Sequence, residues 1–405
     1  MAREQSLRLS DTIVPQKNRY YLRVSRRWRM VGWLFAVALG MFLVVTLSVY
    51  GKYITYDNLT YLARDFDLSV RTTDDVHTTV TYPRQEKLAF APFKSGMAVL
   101  GADVLRLYDG AGISLLEDKL GYTTPALCTS EKYVLCYDLG AKQYSVYNAL
   151  TRVIRRDTDF RILCADMSDS GAYLLVTRSN ETRYVVEYYN EALSRTMSVY
   201  KDHYVLDAAI RDDGARFVIC SAIPSGTDLS CEISLCQAGS AEPVRTTTYP
   251  GAMPLMVDFA PDGSFTVVCD TMVLTCGADG EEIARYPISG MTLVTAHQKN
   301  GVTAIAAAEN ALGSENRIVV LDAAGTILLD TLCRQRVTDI TVCGGKTYCA
   351  VLTPNAVLTL DGAGVLDTIP VDDDDVLSLE YAGTRVLICS KDRYYVPQGE
   401  LQSEN

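Results

Sequence analysis

A chain of 405 residues that is 48% hydrophobic and 21% charged holds enough apolar material for a large buried core, which excludes a mostly disordered polymer. Its formal charge of −11 is unevenly spread: residues 1–29 carry eight basic and two acidic residues, a balance of +6, which leaves −17 on the other 376. A domain this acidic repels nucleic acid and anionic wall polymers, so neither is an expected partner.

Residues 1–29 read as a basic tail. Residues 30–50, MVGWLFAVALGMFLVVTLSVY, run 21 residues without a charge. At about 1.5 Å per helical residue they cover roughly the 30 Å hydrocarbon core of a bilayer. A transmembrane helix is predicted there, with Trp28 and Trp33 near one interface and Tyr50, Tyr53 and Tyr56 near the other. A cleaved signal peptide is the rival, but the small-x-small stretch Ala36-Val37-Ala38 lies inside the apolar run and not after it. Lys and Arg beside a first helix stay in the cytoplasm. The expected protein is therefore held in the plasma membrane by residues 30–50, single-pass, with its N terminus cytoplasmic and residues 51–405 outside. The tail is read as a topology determinant. Residues 51–75 form a juxtamembrane linker in which Leu59, Leu62 and Phe66 share one helical face behind Asp57 and Asn58.

From residue 86 the pattern changes to short runs of Val, Ile, Leu, Tyr and Thr broken by Gly and Asp turns, the signature of an all-β domain. A turn recurs at Lys94-Ser95-Gly96, Thr129-Ser130, Ser168-Asp169-Ser170-Gly171, Asp212-Asp213-Gly214, Pro261-Asp262-Gly263, Lys299-Asn300-Gly301, Cys343-Gly344 and Tyr381-Ala382-Gly383. The spacing averages 41 residues. Six residues after each marker stands a small residue: Ala102, Cys136, Thr177, Cys220, Cys269, Ala307, Ala350 or Cys389. One packing rule is expected, a close approach of neighbouring sheets at this point of the second strand. Second hairpins at 108–112, 277–280, 322–325 and 361–364 bring each unit to four strands.

Four-stranded units of about 40 residues arranged in a ring define a β-propeller. The last unit, 376–396, has room for three strands, and Val76 to Tyr82 is an orphan strand placed to supply the fourth and close the ring. The expected architecture is eight blades over residues 76–397, seven if one unit is miscounted, followed by a tail at 398–405.

The phrases Val319-Val320-Leu321-Asp322-Ala323-Ala324-Gly325-Thr326-Ile327-Leu328 and Leu358-Thr359-Leu360-Asp361-Gly362-Ala363-Gly364-Val365-Leu366 resemble repeats of the quinoprotein-like propeller superfamily. With the basic tail and single anchor, the whole chain resembles an uncharacterised family of membrane-anchored propellers of Gram-positive bacteria, known as a domain of unknown function. The superfamily's quinone-dependent enzymes usually end such repeats in Trp, whereas both tryptophans here precede residue 51. The resemblance implies a fold and carries over no cofactor and no catalytic residue.

The residues themselves assign no catalytic, cofactor-binding or metal site. All 12 cysteines lie between 128 and 389 without a CxxC. Because Cys136, Cys220, Cys269 and Cys389 recur at one repeat position, most are read as reduced, buried small hydrophobes, with Cys231–Cys236 or Cys269–Cys276 as the pairs that could bridge a hairpin. His77, His203 and His297 have no ligand spacing and read as surface or turn residues. Asp372 to Asp375 reads as a solvated loop between blades, with calcium binding as the alternative. Tyr184, Tyr188, Tyr189, Tyr394 and Tyr395 read as fillers of half-buried strand positions, with a binding hot spot as the alternative. The expected function is a non-enzymatic scaffold presenting a face or rim to an envelope protein. The alternative is a receptor or enzyme that binds a small molecule or glycan at the central channel, recognisable by polar residues of several blades meeting there.

Overall fold

The computed structural model describes residues 19–50, 79–226, 228–343, 348–382 and 385–397; the linker at 51–75, His77 and the 398–405 tail lie outside them. The first element is a 32-residue helix, Arg19–Tyr50. Its segment Arg27–Val45 has a mean hydropathy of 1.9 and none of it is buried, which fits a membrane anchor or a signal sequence. The helix and the β domain belong to separate compact units.

The β domain is an eight-bladed propeller of 32 strands in eight four-stranded antiparallel sheets. Blades 1 to 7 span 88–119, 125–157, 162–201, 204–250, 254–287, 292–333 and 339–370. Each is a simple meander. Blade 8 takes three strands from 376–395 and its fourth from Thr79–Thr81, which pairs Thr79 with Tyr395, Val80 with Tyr394 and Thr81 with Arg393. The orphan strand thus closes the ring where the repeat count required it. The Tyr82 hydroxyl donates to the Ser390 carbonyl at 2.8 Å, and Tyr108 of blade 1 meets Tyr394 edge-on with ring centroids 5.7 Å apart. The Asp372 to Asp375 run belongs to the same seam. Asp373 accepts from Ser390 and Arg393, and Asp375 holds Arg84, so two of the four carboxylates knit the closure while Asp372 and Asp374 are exposed.

The first strand of each blade lies against the first strand of the next, from blade 1 round to blade 8 and back to blade 1. These strands surround the axis. The second and third strands are buried along most of their length, as in Val134–Asp138 and Phe265–Cys269, because both faces of every sheet pack on a neighbouring blade. Fourth strands such as Arg152–Asp157 are largely exposed and form the rim. The turns between first and second strands follow the markers, and Gly214 and Gly263 sit there at φ +72° and +87°, where a Cβ would be strained.

The small-residue rule holds in part. Cys136, Thr177, Cys220, Cys269, Ala307, Ala350 and Cys389 are all buried in second strands, but Ala102 falls in the bend after its strand. Nor do the seven share one contact. Cys220 joins the core between blades 4 and 5 by facing forward, whereas Cys269 reaches the same core by facing back. Smallness is therefore a property of tight inter-blade packing in general and not of a single repeated point.

Candidate functional site at the axial channel

Five first strands carry the same irregularity. The pairing of first and second strands skips one residue in blade 3 between Ile162 and Cys164, in blade 4 between Val205 and Asp207, in blade 5 between Pro254 and Met256, in blade 6 between Leu293 and Thr295, and in blade 8 between Val376 and Ser378. Each is a β-bulge, with one extra unpaired residue that re-aims the strand. The extra residues are Leu163, Leu206, Leu255, Val294 and Leu377. All five are aliphatic. Leu206, Leu255 and Val294, on three consecutive blades, are 39%, 42% and 43% exposed, and Leu163 and Leu377 are half-buried. Because the bulges lie where the first strands begin, the exposed Leu206, Leu255 and Val294 form an apolar collar along one mouth of the channel, while Leu163 packs on the core between blades 3 and 4. The turns after the first strands mark the opposite mouth, and the chain enters blade 8 at Thr79 on that opposite side.

Beyond the collar the channel wall becomes polar. The residue after the bulge is Asp207 in blade 4, and Asp339 occupies the matching place in blade 7; two residues further stand Asp166, Asp258, His297 and Glu380 in blades 3, 5, 6 and 8. Four of these six side chains make one kind of bond. The inner edge of each first strand has backbone N–H groups with no strand to pair with, and a side chain of the preceding blade accepts from one of them. Asp166 Oδ2 accepts from the Ile210 N–H at 2.8 Å and His297 Nδ1 from the Val342 N–H at 3.1 Å. One tier nearer the collar, Asp207 Oδ2 accepts from Val257 at 2.9 Å and Asp339 Oδ2 from Leu379 at 2.8 Å. These clasps tie blades 3 to 4, 4 to 5, 6 to 7 and 7 to 8.

The electrostatics divide the wall. Burial pushes Asp166 up to about 6, and Asp207 and Asp258 to about 7. The charged groups acting on them are other aspartates: Asp212 and Asp169 on Asp166, Asp166 on Asp207, and Asp166, Asp212 and Asp207 on Asp258. On the other side burial pushes Glu380 up to about 8 against the pull of Lys299, and lowers His297 to about 4 with Lys299 adding to the effect. Lys299 Nζ donates to the Tyr381 carbonyl at 3.0 Å, from blade 6 to blade 8. Asp339 also acts on Glu380, so this half holds two carboxylates with a lysine among them.

His297, expected on a surface or turn, is thus an inner-strand clasp, and His203 lies in the connection between blades 3 and 4. All 12 cysteines are free, ten of them buried, with Cys128 and Cys164 half-buried on inner strands. Neither suggested bridge is formed. Cys231 and Cys236 share one strand, Asp228–Gln237, and Cys276 pairs with Phe265, leaving Cys269 at the other end of that hairpin. Tyr188, Tyr189 and Tyr394 are buried fillers, and Tyr189 stacks on Tyr173 at 4.4 Å. Tyr184 is half-buried beside exposed Tyr204, with Arg183 4.6 Å over the Tyr204 ring. No group of three or more metal-ligating side chains occurs among the described residues.

Fold and wall together define an eight-bladed propeller with an apolar collar and an ionisable channel. The chain belongs to the Family of unknown function (DUF5711), whose match covers residues 69–367. No curated protein matches the sequence. Among solved structures it is similar to the C-terminal WD40 domain of Sif2, with a TM-score of 0.59 and 12% identity over 80% of this chain and 100% of that one. It is also similar to a eukaryotic initiation factor, with a TM-score of 0.52 and 11% identity over 78% and 84%. At such identities the likeness concerns the fold alone.

Proposed function

We propose that this protein is a non-enzymatic interaction scaffold of the cell envelope, anchored by residues 30–50 with its N terminus cytoplasmic, and that its propeller docks a protein partner at the collared mouth of the channel. The observation that carries the reading is the collar: Leu206, Leu255 and Val294 stand exposed at one register position of three successive blades. Exposed leucines are ordinary singly, but a repeated set around one opening marks a contact surface. Tyr204, 42% exposed, begins the same inner strand as Leu206 and adds an aromatic anchor. The polar channel residues favour this reading over catalysis, since four of the six are engaged in holding neighbouring blades together.

A photoreactive amino acid placed at 206, 255 or 294 in the full-length protein, in intact cells, tests it. The expected result is one discrete adduct from all three positions, absent from position 153 on the exposed fourth strand of blade 2 and lost when the other two collar residues become serine. Adducts that ignore the collar substitutions, or none from any collar position, overturn the reading.

A further inference from the structure

Resting on that reading, we infer that the segment docked at the collar is an extended peptide stretch that places a lysine or arginine side chain, flanked by aliphatic residues, into the channel along blades 3 to 5. The geometry supplies both halves of the recognition. Aliphatic flanks fit against Leu206, Leu255 and Val294. The cation meets Asp207, which follows Leu206 directly, and then Asp258 and Asp166, each three residues past its own bulge. At about 3.3 Å per strand residue the carboxylates begin next to the collar and reach about 10 Å from it along the wall.

Charge complementarity selects a cation over a neutral or acidic side chain. The bonds found for these aspartates are to backbone amides, Asp166 to Ile210, Asp207 to Val257 and Asp258 to Phe259. The groups that act on them electrostatically are further aspartates, with no lysine or arginine among them. Lys299 is committed elsewhere, to the Tyr381 carbonyl of blade 8. At the collar end of blade 3, Lys201 is bonded to Glu232 at 3.0 Å and Ser234 at 2.7 Å, Arg183 lies over Tyr204, and Arg161 and Arg178 are exposed at the outer lip. A cation entering from outside removes the mutual repulsion of the three aspartates in a site partly withdrawn from water, where one charge counts for more than on an open surface. The aliphatic flanks contribute affinity and the acidic wall contributes selectivity, so the two are separable by substitution.

The test uses the full-length protein and three capped five-residue peptides that differ only at the centre: lysine, norleucine or glutamate, each between valines and leucines. Binding is read by fluorescence anisotropy. The lysine peptide is expected to bind about tenfold more tightly than the norleucine peptide, and the glutamate peptide more weakly than either. The advantage should shrink in wild-type protein as salt rises well above physiological strength. Asp207→Asn with Asp258→Asn should abolish the preference and leave norleucine binding unchanged. Leu206→Ser with Leu255→Ser and Val294→Ser should weaken all three peptides alike. Equal binding of the three, no binding of any, or a lysine preference that survives the Asp→Asn pair overturns the inference. Collar adducts in cells without a charge preference would defeat this inference alone, whereas the absence of any collar dependence defeats the docking reading as well.

Discussion

Blades 3 to 5 and blades 6 to 8 build the channel with the same backbone device and differ in electrostatics, carboxylates alone on one side and carboxylates with a lysine on the other. Asp166 and His297 occupy one register position and each accepts from the N–H of the next blade, as do Asp207 and Asp339 one tier away. Yet the carboxylates of blades 3 to 5 act mainly on one another, while Lys299 sits among Glu380 and His297 on the other side. A clasp needs an acceptor and is indifferent to charge, since imidazole and carboxylate serve equally. The accumulation of acid on one side is therefore not a requirement of the ring, and it is free to serve recognition.

Removing the cation should hurt most. Lys299→Met leaves Glu380 without its positive neighbour and the Tyr381 carbonyl without a donor; a loss of about 2 kcal/mol at neutral pH is expected by urea unfolding. Asp258→Asn, by contrast, removes one of several repelling carboxylates and should leave stability within about 0.5 kcal/mol or raise it. Equal losses from the two substitutions would erase the contrast between the halves.

The clasps come next. Asp207→Ala and His297→Ala each strip an acceptor from an inner-edge amide that the channel's water can partly satisfy, and each should cost about 1 kcal/mol. The similar cost would confirm that the clasp is shared while the charge is not.

The pH dependence separates them further. Asp207 and Asp258 are raised to about 7 from the usual carboxylate range, so between those values the folded chain binds more protons than the unfolded one, and stability falls as pH climbs from about 4 to about 7. Glu380, raised to about 8, prolongs that fall. His297 is lowered to about 4 from 6.5, so the unfolded chain binds the extra proton and stability gained from this group rises between those values. Thermal melts across this range should show Asp207→Asn with Asp258→Asn removing a fall between about pH 4 and 7, and His297→Ala removing an opposing rise between about 4 and 6.5.

The smallest perturbation is chemical. Burial pushes the Cys276 and Cys343 thiols up to about 12, and ten of the 12 cysteines are buried. A thiol reagent should therefore reach at most the two inner-strand cysteines, Cys128 and Cys164, in the native state, and all 12 after unfolding without reductant. Fewer than 12 would reveal disulfides.

The ring itself was legible because turn chemistry is local. Asp-Gly or Asn-Gly marks three of the eight turns from a first strand to a second and Ser-Gly two more, and the three-strand remainder at 376–396 demanded the partner found at Thr79–Thr81. The channel was not legible, because its residues are polar or aliphatic at positions where a strand tolerates either. A faint signal existed: Leu163, Leu206 and Leu255 each stand eight residues before the turn glycines Gly171, Gly214 and Gly263, and Asp166 and Asp258 five before theirs. Leucine in a strand reads as core, however, and only the bulge turns it outward. The cysteine pairs failed for a related reason: closeness in sequence is not closeness across a sheet, and Cys231 meets the core of blade 5 instead of Cys236. The small-residue rule failed as a single contact because the first turn varies in length, with six residues between the paired Ile210 and Phe217 in blade 4 and five between Phe259 and Phe265 in blade 5, so a fixed count from the glycine lands on opposite faces.

The most direct test of the central claim is adduct formation from position 255 in intact cells, compared between the otherwise native chain and one carrying Leu206→Ser and Val294→Ser. Both substitutions are at exposed sites, so unfolding transitions should be unchanged within about 0.5 kcal/mol. A discrete adduct that disappears with the serines is the result the account predicts. An adduct of undiminished yield in the serine variant would place the partner elsewhere on the propeller and contradict it.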